Sequence, residues 1–188
     1  ICHYIDMPIQ HASDKILKAM GRRTNNAELR NIISKLRKEI PDICLRTTLI
    51  TGFPGETEED HQILLDFIDE MEFDRLGVFT YSPEEDTKAA SLDNQVDEEV
   101  KLCRKDEIME LQQEISMDKS ERLVGKEIEV IIEGKASDED VYVGRSYMDA
   151  PSVDGYVFIN SEEELMSGDF AKVRIVKAME YDLIGDLI

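Results

Sequence analysis

Apolar positions follow one kind of periodicity up to about Leu123 and another after Gly125. In the first stretch, short β-branched runs alternate with stripes spaced three and four residues apart, the spacing of an amphipathic helix. His3 to Ile9 reads as a strand limited by Pro8, which cannot donate to a ladder. Asp14 to Met20 reads as a short helix with Ser13 as N-cap and Gly21 at its close. Asn26 is expected to cap a second helix from about Ala27 to Ile40, with Leu29, Ile32, Ile33, Leu36 and Ile40 on one face and Pro41 as the stop. Ile43 to Ile50 is the next strand. Thr57, with Asp60 three places later, has the spacing of a capping box. It opens a helix whose stripe is Ile63, Leu64, Phe67, Ile68 and Met71. Leu76 to Tyr81 is a third strand, and Val96 to about Leu123 a long charged helix with Val100, Leu102, Ile108, Leu111 and Ile115 as its apolar contacts.

After Gly125 the period becomes two. Glu127 to Glu133, Val141 to Val143, Tyr156 to Ile159, Phe170 to Val176 and Leu183 to Ile188 read as five short strands with turn residues between them. The fold class is therefore α/β followed by all-β. Strand, helix, strand, helix, strand implies a parallel sheet with right-handed crossovers. Three units are too few to close a barrel, so the sheet is either small and open or part of a larger, partial TIM-like barrel. The five strands suggest a small OB-like barrel. The boundary is expected near Leu123, dividing residues 1–123 from 124–188.

Charge narrows the partners. The chain holds 42 acidic and 22 basic residues, a net −20. From Glu121 onward there are 16 acidic and 7 basic residues, a net −9, which leaves −11 for the first 120. Nucleic-acid binding normally needs Lys and Arg to neutralise phosphates, so direct binding is not expected. A basic protein partner fits better, beside the plainer reading of a solubilising surface. No run is apolar enough for a membrane span and no signal peptide opens the chain, so the expected location is cytoplasmic. Cys2, Cys44 and Cys103 show no paired spacing, as in a reducing compartment, and lack the clustering that zinc or iron–sulfur ligation needs. The first residue, Ile1, suggests a piece of a longer protein.

The candidate chemistry gathers at strand ends. The run from Arg46 to Thr57 passes from an apolar strand through Gly52-Phe53-Pro54-Gly55-Glu56 into a helix. In a parallel sheet, Gln10, His11 and Ser13 would lie beside that loop and near Tyr81 to Glu84. Gly52 and Gly55 allow a ligand to approach the backbone, and Phe53 with Pro54 can cover a planar base. Arg46, at the start of its strand, points away from this rim unless its long side chain reaches inward. A tight turn and a structural histidine would explain the same residues. In the second half, the loop from Gly144 to Gly155 presents Arg145, Tyr147, Asp149 and Asp154. Barrel loops of this kind bind polymers, although a hairpin connection with capping aspartates has the same composition.

Four motifs occur in order: Tyr4-Ile5-Asp6-Met7-Pro8-Ile9-Gln10-His11-Ala12-Ser13, Arg46-Thr47-Thr48 to Gly52-Phe53-Pro54-Gly55-Glu56-Thr57, Phe79-Thr80-Tyr81-Ser82-Pro83-Glu84-Glu85, and Gly144-Arg145-Ser146 with Asp149-Ala150-Pro151 and Val153-Asp154-Gly155. Together they resemble the methylthiotransferase family of radical S-adenosylmethionine (SAM) enzymes, most closely the branch that modifies an aspartate of a small-subunit ribosomal protein. The resemblance implies a partial radical SAM barrel followed by a TRAM domain. It also implies two iron–sulfur clusters in a full-length parent, none ligated by this chain, which by itself would be inactive. Family chemistry implies SAM cleavage to a 5′-deoxyadenosyl radical, hydrogen abstraction at the aspartate β-carbon, and sulfur insertion with a methyl group from another SAM. By motif, Gln10, His11, Ser13, Arg46 and Gly52 to Glu56 are expected to contact SAM. Tyr81, Glu84, Arg145, Tyr147, Asp149 and Asp154 are expected to contact a basic ribosomal protein. Two departures are Asp86, where the family has glycine, and Ser152, where it has glutamate. The alternatives are the branch that thiomethylates transfer RNA, its TRAM domain holding the RNA, and a non-enzymatic binding module.

Overall fold

The computed structural model describes residues 1–136 and 141–188. They form two compact units, Ile5–Gln112 and a second made of Ile1–Tyr4 with Gln113–Ile188. The elements carrying the first unit are β1 (Tyr4–Asp6), α1 (Asp14–Ala19), α2 (Asn26–Glu39), β2 (Cys44–Thr51), α3 (Glu58–Met71), β3 (Arg75–Thr80) and α4 (Glu98–Glu121). The sheet order is β1-β2-β3, with β2 and β3 parallel and Thr48 beside Gly77, Ile50 beside Phe79.

Local signals explain most boundaries. Thr57 and Asp60 form the capping box their spacing predicts. The cap of α2 is Asn25 rather than Asn26: its side chain accepts from the Glu28 N–H, and the Glu28 carboxylate accepts from the Asn25 N–H. Asn26 instead donates to the Ala12 carbonyl. Ser13 occupies the N-cap position of α1 without capping it, because its hydroxyl donates to Asp60 at 2.7 Å. The first strand ends at Asp6, short of Ile9, consistent with the donor missing at Pro8. The chain rejoins the sheet at Gln10 through a parallel bridge to Leu49.

One face of the sheet is closed and the other open. Leu45, Thr47, Leu49 and Thr51 are buried, whereas Arg46, Thr48 and Ile50, alternating with them, are half-buried. Phe79, beside Ile50, is 63% exposed. Parallel sheets are ordinarily covered on both faces. A parallel sheet with helices and one open face matches the partial-barrel alternative.

Helix α4 departs from the expected pattern. Of its expected apolar contacts, Ile108 and Ile115 are buried but Val100 and Leu102 are exposed, and up to Gln112 the buried positions are Lys101, Arg104, Ile108 and Gln112. They share one helical face by spacing. It is polar because the backbone it meets offers carbonyls: Lys101 Nζ donates to Tyr81 O at 3.0 Å and Gln112 Nε2 to Phe73 O at 3.0 Å. Ile32 and Ile63, expected within apolar stripes, are also exposed.

The second unit contains β4 (Glu127–Lys135), β5 (Val141–Arg145), β6 (Val157–Asn160), β7 (Phe170–Ala178) and β8 (Leu183–Leu187). They close into a barrel of order β4-β5-β6-β8-β7, with β6 and β8 parallel and the other pairs antiparallel. This is a small OB-type barrel. Its core holds Val130, Ile132, Tyr142, Val157, Ile159, Val173, Ile175 and Leu183, the inward positions of the period-two pattern.

Candidate functional site

The open face of the sheet carries a cleft of about 640 Å³, within the usual range for ligand sites. Strand alternation supplies Thr48 and Ile50 from β2 and Phe79 from β3. The strand-end segments add Gln10, Phe53, Thr80, Tyr81 and Ser82, the turn closing α1 adds residues 19–22, including Met20 and Arg22, and Lys88 and Ala89 complete the lining. Phe53 and Tyr81 meet edge to face, with centroids 5.1 Å apart. The buried Tyr81 hydroxyl has no hydrogen-bond partner among the described residues, which is uncommon for a buried tyrosine.

Gln10, Phe53 and Tyr81 are thus the expected residues that the structure brings together. Gln10 has φ of +72°, rare for a residue with a side chain. Two backbone bonds hold it there, Gln10 N to Thr48 O at 3.0 Å and Ile50 N to Gln10 O at 2.8 Å. Gln10 joins Thr48, Tyr81 and Ser82 as polar residues of the lining.

His11 and Glu56 lie elsewhere, wholly buried and not part of the cleft lining. The Ser13 N–H donates to His11 Nδ1 at 2.9 Å, and the ring's Nε2 stands 3.5 Å from Glu56 Oε2. Glu56 Oε2 also accepts from the N–H groups of Gly52 at 2.8 Å and Phe53 at 3.2 Å. Its Oε1 accepts from Thr51 Oγ1 at 3.2 Å and Arg104 Nη1 at 3.0 Å. Burial alone would raise this carboxyl, but hydrogen bonding and charge from His11, charge from Arg104 and the Phe53 N–H hold it below the usual range. Glu56 is committed to shaping its own loop.

Ser13 lines a separate polar recess with Asp14, Lys15, Asn26, Arg30 and Asp60. There burial opposes, and hydrogen bonds from Lys15, Ser13 and Thr57 outweigh that opposition, keeping the Asp60 carboxyl well below its ordinary range. Gly52, Pro54 and Gly55 shape the loop outside the lining; the Gly55 N–H donates to Asn94 O at 2.8 Å. Arg46 pairs with Asp6 at 3.0 Å, before the cleft begins.

Glu84 is exposed, and its carbonyl accepts from Thr87. Asp86 adopts φ of +63°, the conformation a glycine takes freely and an aspartate tolerates. In the barrel loop, Asp149 accepts from the Ser146 hydroxyl at 2.6 Å and Asp154 from the Ala150 N–H at 2.8 Å. Both aspartates brace the loop. Arg145 pairs with Glu133 at 2.8 Å, and Tyr147 is 37% exposed.

The lining suits a nucleoside: two aromatic edges and apolar Ile50, Met20 and Phe79, interrupted by an amide, hydroxyls and two cations. It does not suit an iron–sulfur cluster. Among the described residues no group of His, Cys, Asp or Glu can hold a metal ion; Cys44 is buried, and Cys2 and Cys103 are exposed. Sequence reasoning missed Thr48, Ile50 and Phe79, although alternation on β2 and β3 marks them, and missed Lys101 and Arg104. No helix among the described residues is long and apolar enough to cross a membrane.

Comparison with known proteins places these features. Residues 1–68 match the radical SAM superfamily and residues 124–188 the TRAM domain. The chain is 60% identical over 185 residues to ribosomal protein uS12 methylthiotransferase RimO of Lachnoclostridium phytofermentans, covering 98% of this chain and 42% of that protein. It is 54% identical to the protein of the same name from Pelotomaculum thermopropionicum, covering all of this chain and 43% of the relative. For that of Clostridioides difficile the values are 51%, all of this chain and 42% of the relative. The chain therefore spans about two fifths of the length of these relatives. It carries a radical SAM segment and a TRAM domain in the same order as the four motifs, and over nearly all of its own length it is similar to these uS12 methylthiotransferases.

Proposed function

We propose that this chain is part of a cytoplasmic enzyme that places a methylthio group on the β-carbon of an aspartate in ribosomal protein uS12. Residues 1–123 supply one wall of a SAM site, residues 124–188 hold the protein substrate, and the chain by itself is inactive. The observation that carries the cofactor part is the cleft on the open sheet face, lined by Gln10, Thr48, Ile50, Phe53, Phe79 and Tyr81. Bound there and cleaved reductively, SAM would supply the radical that abstracts hydrogen, with the methyl group of the product coming from another SAM. The chain's own work is to bind and shield. Phe53, Ile50 and Phe79 cover apolar surface and exclude water, while Gln10, Thr48 and the Tyr81 hydroxyl offer hydrogen bonds that fix orientation.

The residues from Glu121 onward carry a net −9, which favours a basic protein over transfer RNA. Tyr147, Val153 and Phe170 are exposed apolar side chains that a protein partner can cover. The test is mass spectrometry of the ribosomal protein from cells lacking the parent gene. The methylthio mass on its aspartate disappears and returns with the full-length gene, but not with one deleted for residues 124–188. A methylthio-aspartate that persists without the gene contradicts the substrate assignment.

A further inference from the structure

Helix α4 meets the cleft loops with two buried cations, an arrangement unrelated to apolar packing. Lys101 is 5% exposed and Arg104 7%. Buried lysine and arginine are rare unless each has a specific partner. Here the partners are the segments that carry the two aromatic walls. Lys101 Nζ donates to the Tyr81 carbonyl at 3.0 Å, pairs with Glu98 at 3.1 Å and stands 5.6 Å from the Tyr81 ring centroid. Its stem occupies the space beside Gly52: a Cβ added there would fall 2.2 Å from Lys101 Cγ. Arg104 Nη1 donates to Glu56 Oε1 at 3.0 Å, and Glu56 Oε2 in turn accepts the Gly52 and Phe53 N–H groups. Two chains of bonds thus leave one turn of α4, one ending at Tyr81 and the other at Phe53.

We propose that Lys101 and Arg104 are positioning residues that set the spacing of Phe53 and Tyr81 and thereby the affinity of the cleft for the adenosine portion of its ligand. Neither side chain lines the cleft, so neither touches that ligand. The affinity part rests on the SAM reading of the cleft; the bracing of the loop does not. An apolar helix face would hold the loop by area alone, which tolerates sliding. Charge-assisted bonds to a carboxylate and a carbonyl fix direction as well. The Phe53 ring must keep its edge-to-face distance of 5.1 Å from Tyr81 for both walls to stay in place.

The experiment compares Arg104→Met and Lys101→Met with Ile108→Val. The methionines keep much of the aliphatic volume and remove the donors. Ile108 is fully buried on the same helix and contributes no hydrogen bond to the loop, so its truncation reports general loosening. Amide hydrogen exchange and binding of S-adenosylhomocysteine are measured on each folded protein. Arg104→Met is expected to speed exchange at Gly52 and Phe53 by about tenfold or more, the scale of a lost charged hydrogen bond. Both methionine variants are expected to weaken binding about tenfold, with Ile108→Val near wild type in both readouts. Unchanged exchange at Gly52 and Phe53 in Arg104→Met overturns the bracing role. Normal ligand affinity in both methionine variants, or an equal loss in Ile108→Val, overturns its effect on the cleft. If the wild-type chain binds no S-adenosylhomocysteine, the affinity part fails with the SAM reading of the cleft, while the exchange result still decides the bracing.

Discussion

The Arg104 guanidinium lies 3.0 Å from the Glu56 carboxylate, and the two side chains are 8% and 0% exposed. Removing one partner of such a pair strands the other charge without water, at about 3–5 kcal/mol. Glu56→Ala additionally leaves the Gly52 and Phe53 N–H groups without their acceptor. Urea unfolding followed through the α/β unit is expected to show a loss of that size. A loss below about 1 kcal/mol, the range of an exposed pair, would mean that water reaches the site.

Gly52 and Gly55 both have positive φ, +73° and +83°, but different surroundings. Gly55→Ala meets open space and should lose only the backbone preference, about 1–2 kcal/mol. Gly52→Ala meets the Lys101 stem as well and should lose more. In a double-mutant cycle, Lys101→Ala should recover the steric part of the Gly52→Ala loss and leave the conformational part. Strict additivity would show that the Lys101 stem does not occupy that space.

Acid should weaken the α/β unit through Glu56 and Asp60. Both carboxyls are held below their unfolded values, so the unfolded chain takes up protons first as pH falls. The stability they confer is full above the ordinary carboxylate range of about 4 and is lost as pH drops toward and through the lowered folded values. Unfolding free energy is expected to be nearly level from about pH 7 to about pH 5 and to fall below that. Glu56→Gln should start lower and fall less steeply. Parallel slopes for the two proteins would show that Glu56 titrates normally.

Tyr81→Phe separates folding from binding. The Tyr81 hydroxyl is buried without a partner among the described residues, so its removal should leave stability unchanged or raise it by roughly 1 kcal/mol. Binding of S-adenosylhomocysteine should weaken if this hydroxyl meets the ligand. A loss of stability in Tyr81→Phe would show that the hydroxyl already has a structural partner.

The fold was readable where local chemistry decides it. The period-two run after Gly125 closes into the barrel, and Thr57 with Asp60 caps α3. The site was readable only in part, because a sequence gives a residue's strand but not the face to which a bent segment turns it. Gln10 and His11 are neighbours, yet the left-handed Gln10 lines the cleft while His11 turns inward to Glu56. Glu56 has the composition of a ligand contact and the geometry of a loop brace. Helix α4 was the hardest element to read. Hydrophobic spacing correctly marks Ile108 and Ile115 as buried but also points to the exposed Val100 and Leu102, whereas the first turns bury Lys101 and Arg104, whose partners come from loops distant in sequence. Asn26 adjoins the apolar stripe and so is the expected cap of α2, but the reciprocal partner, Glu28, pairs with Asn25.

The cleft itself is tested most directly by an NMR titration of the chain with S-adenosylmethionine. Saturable amide shifts are expected at Gln10, Thr48, Ile50, Phe53, Phe79 and Tyr81, with residues 124–188 unmoved. No saturable shift at these six positions, or shifts confined to the barrel, would contradict the assignment of the open sheet face as the cofactor wall.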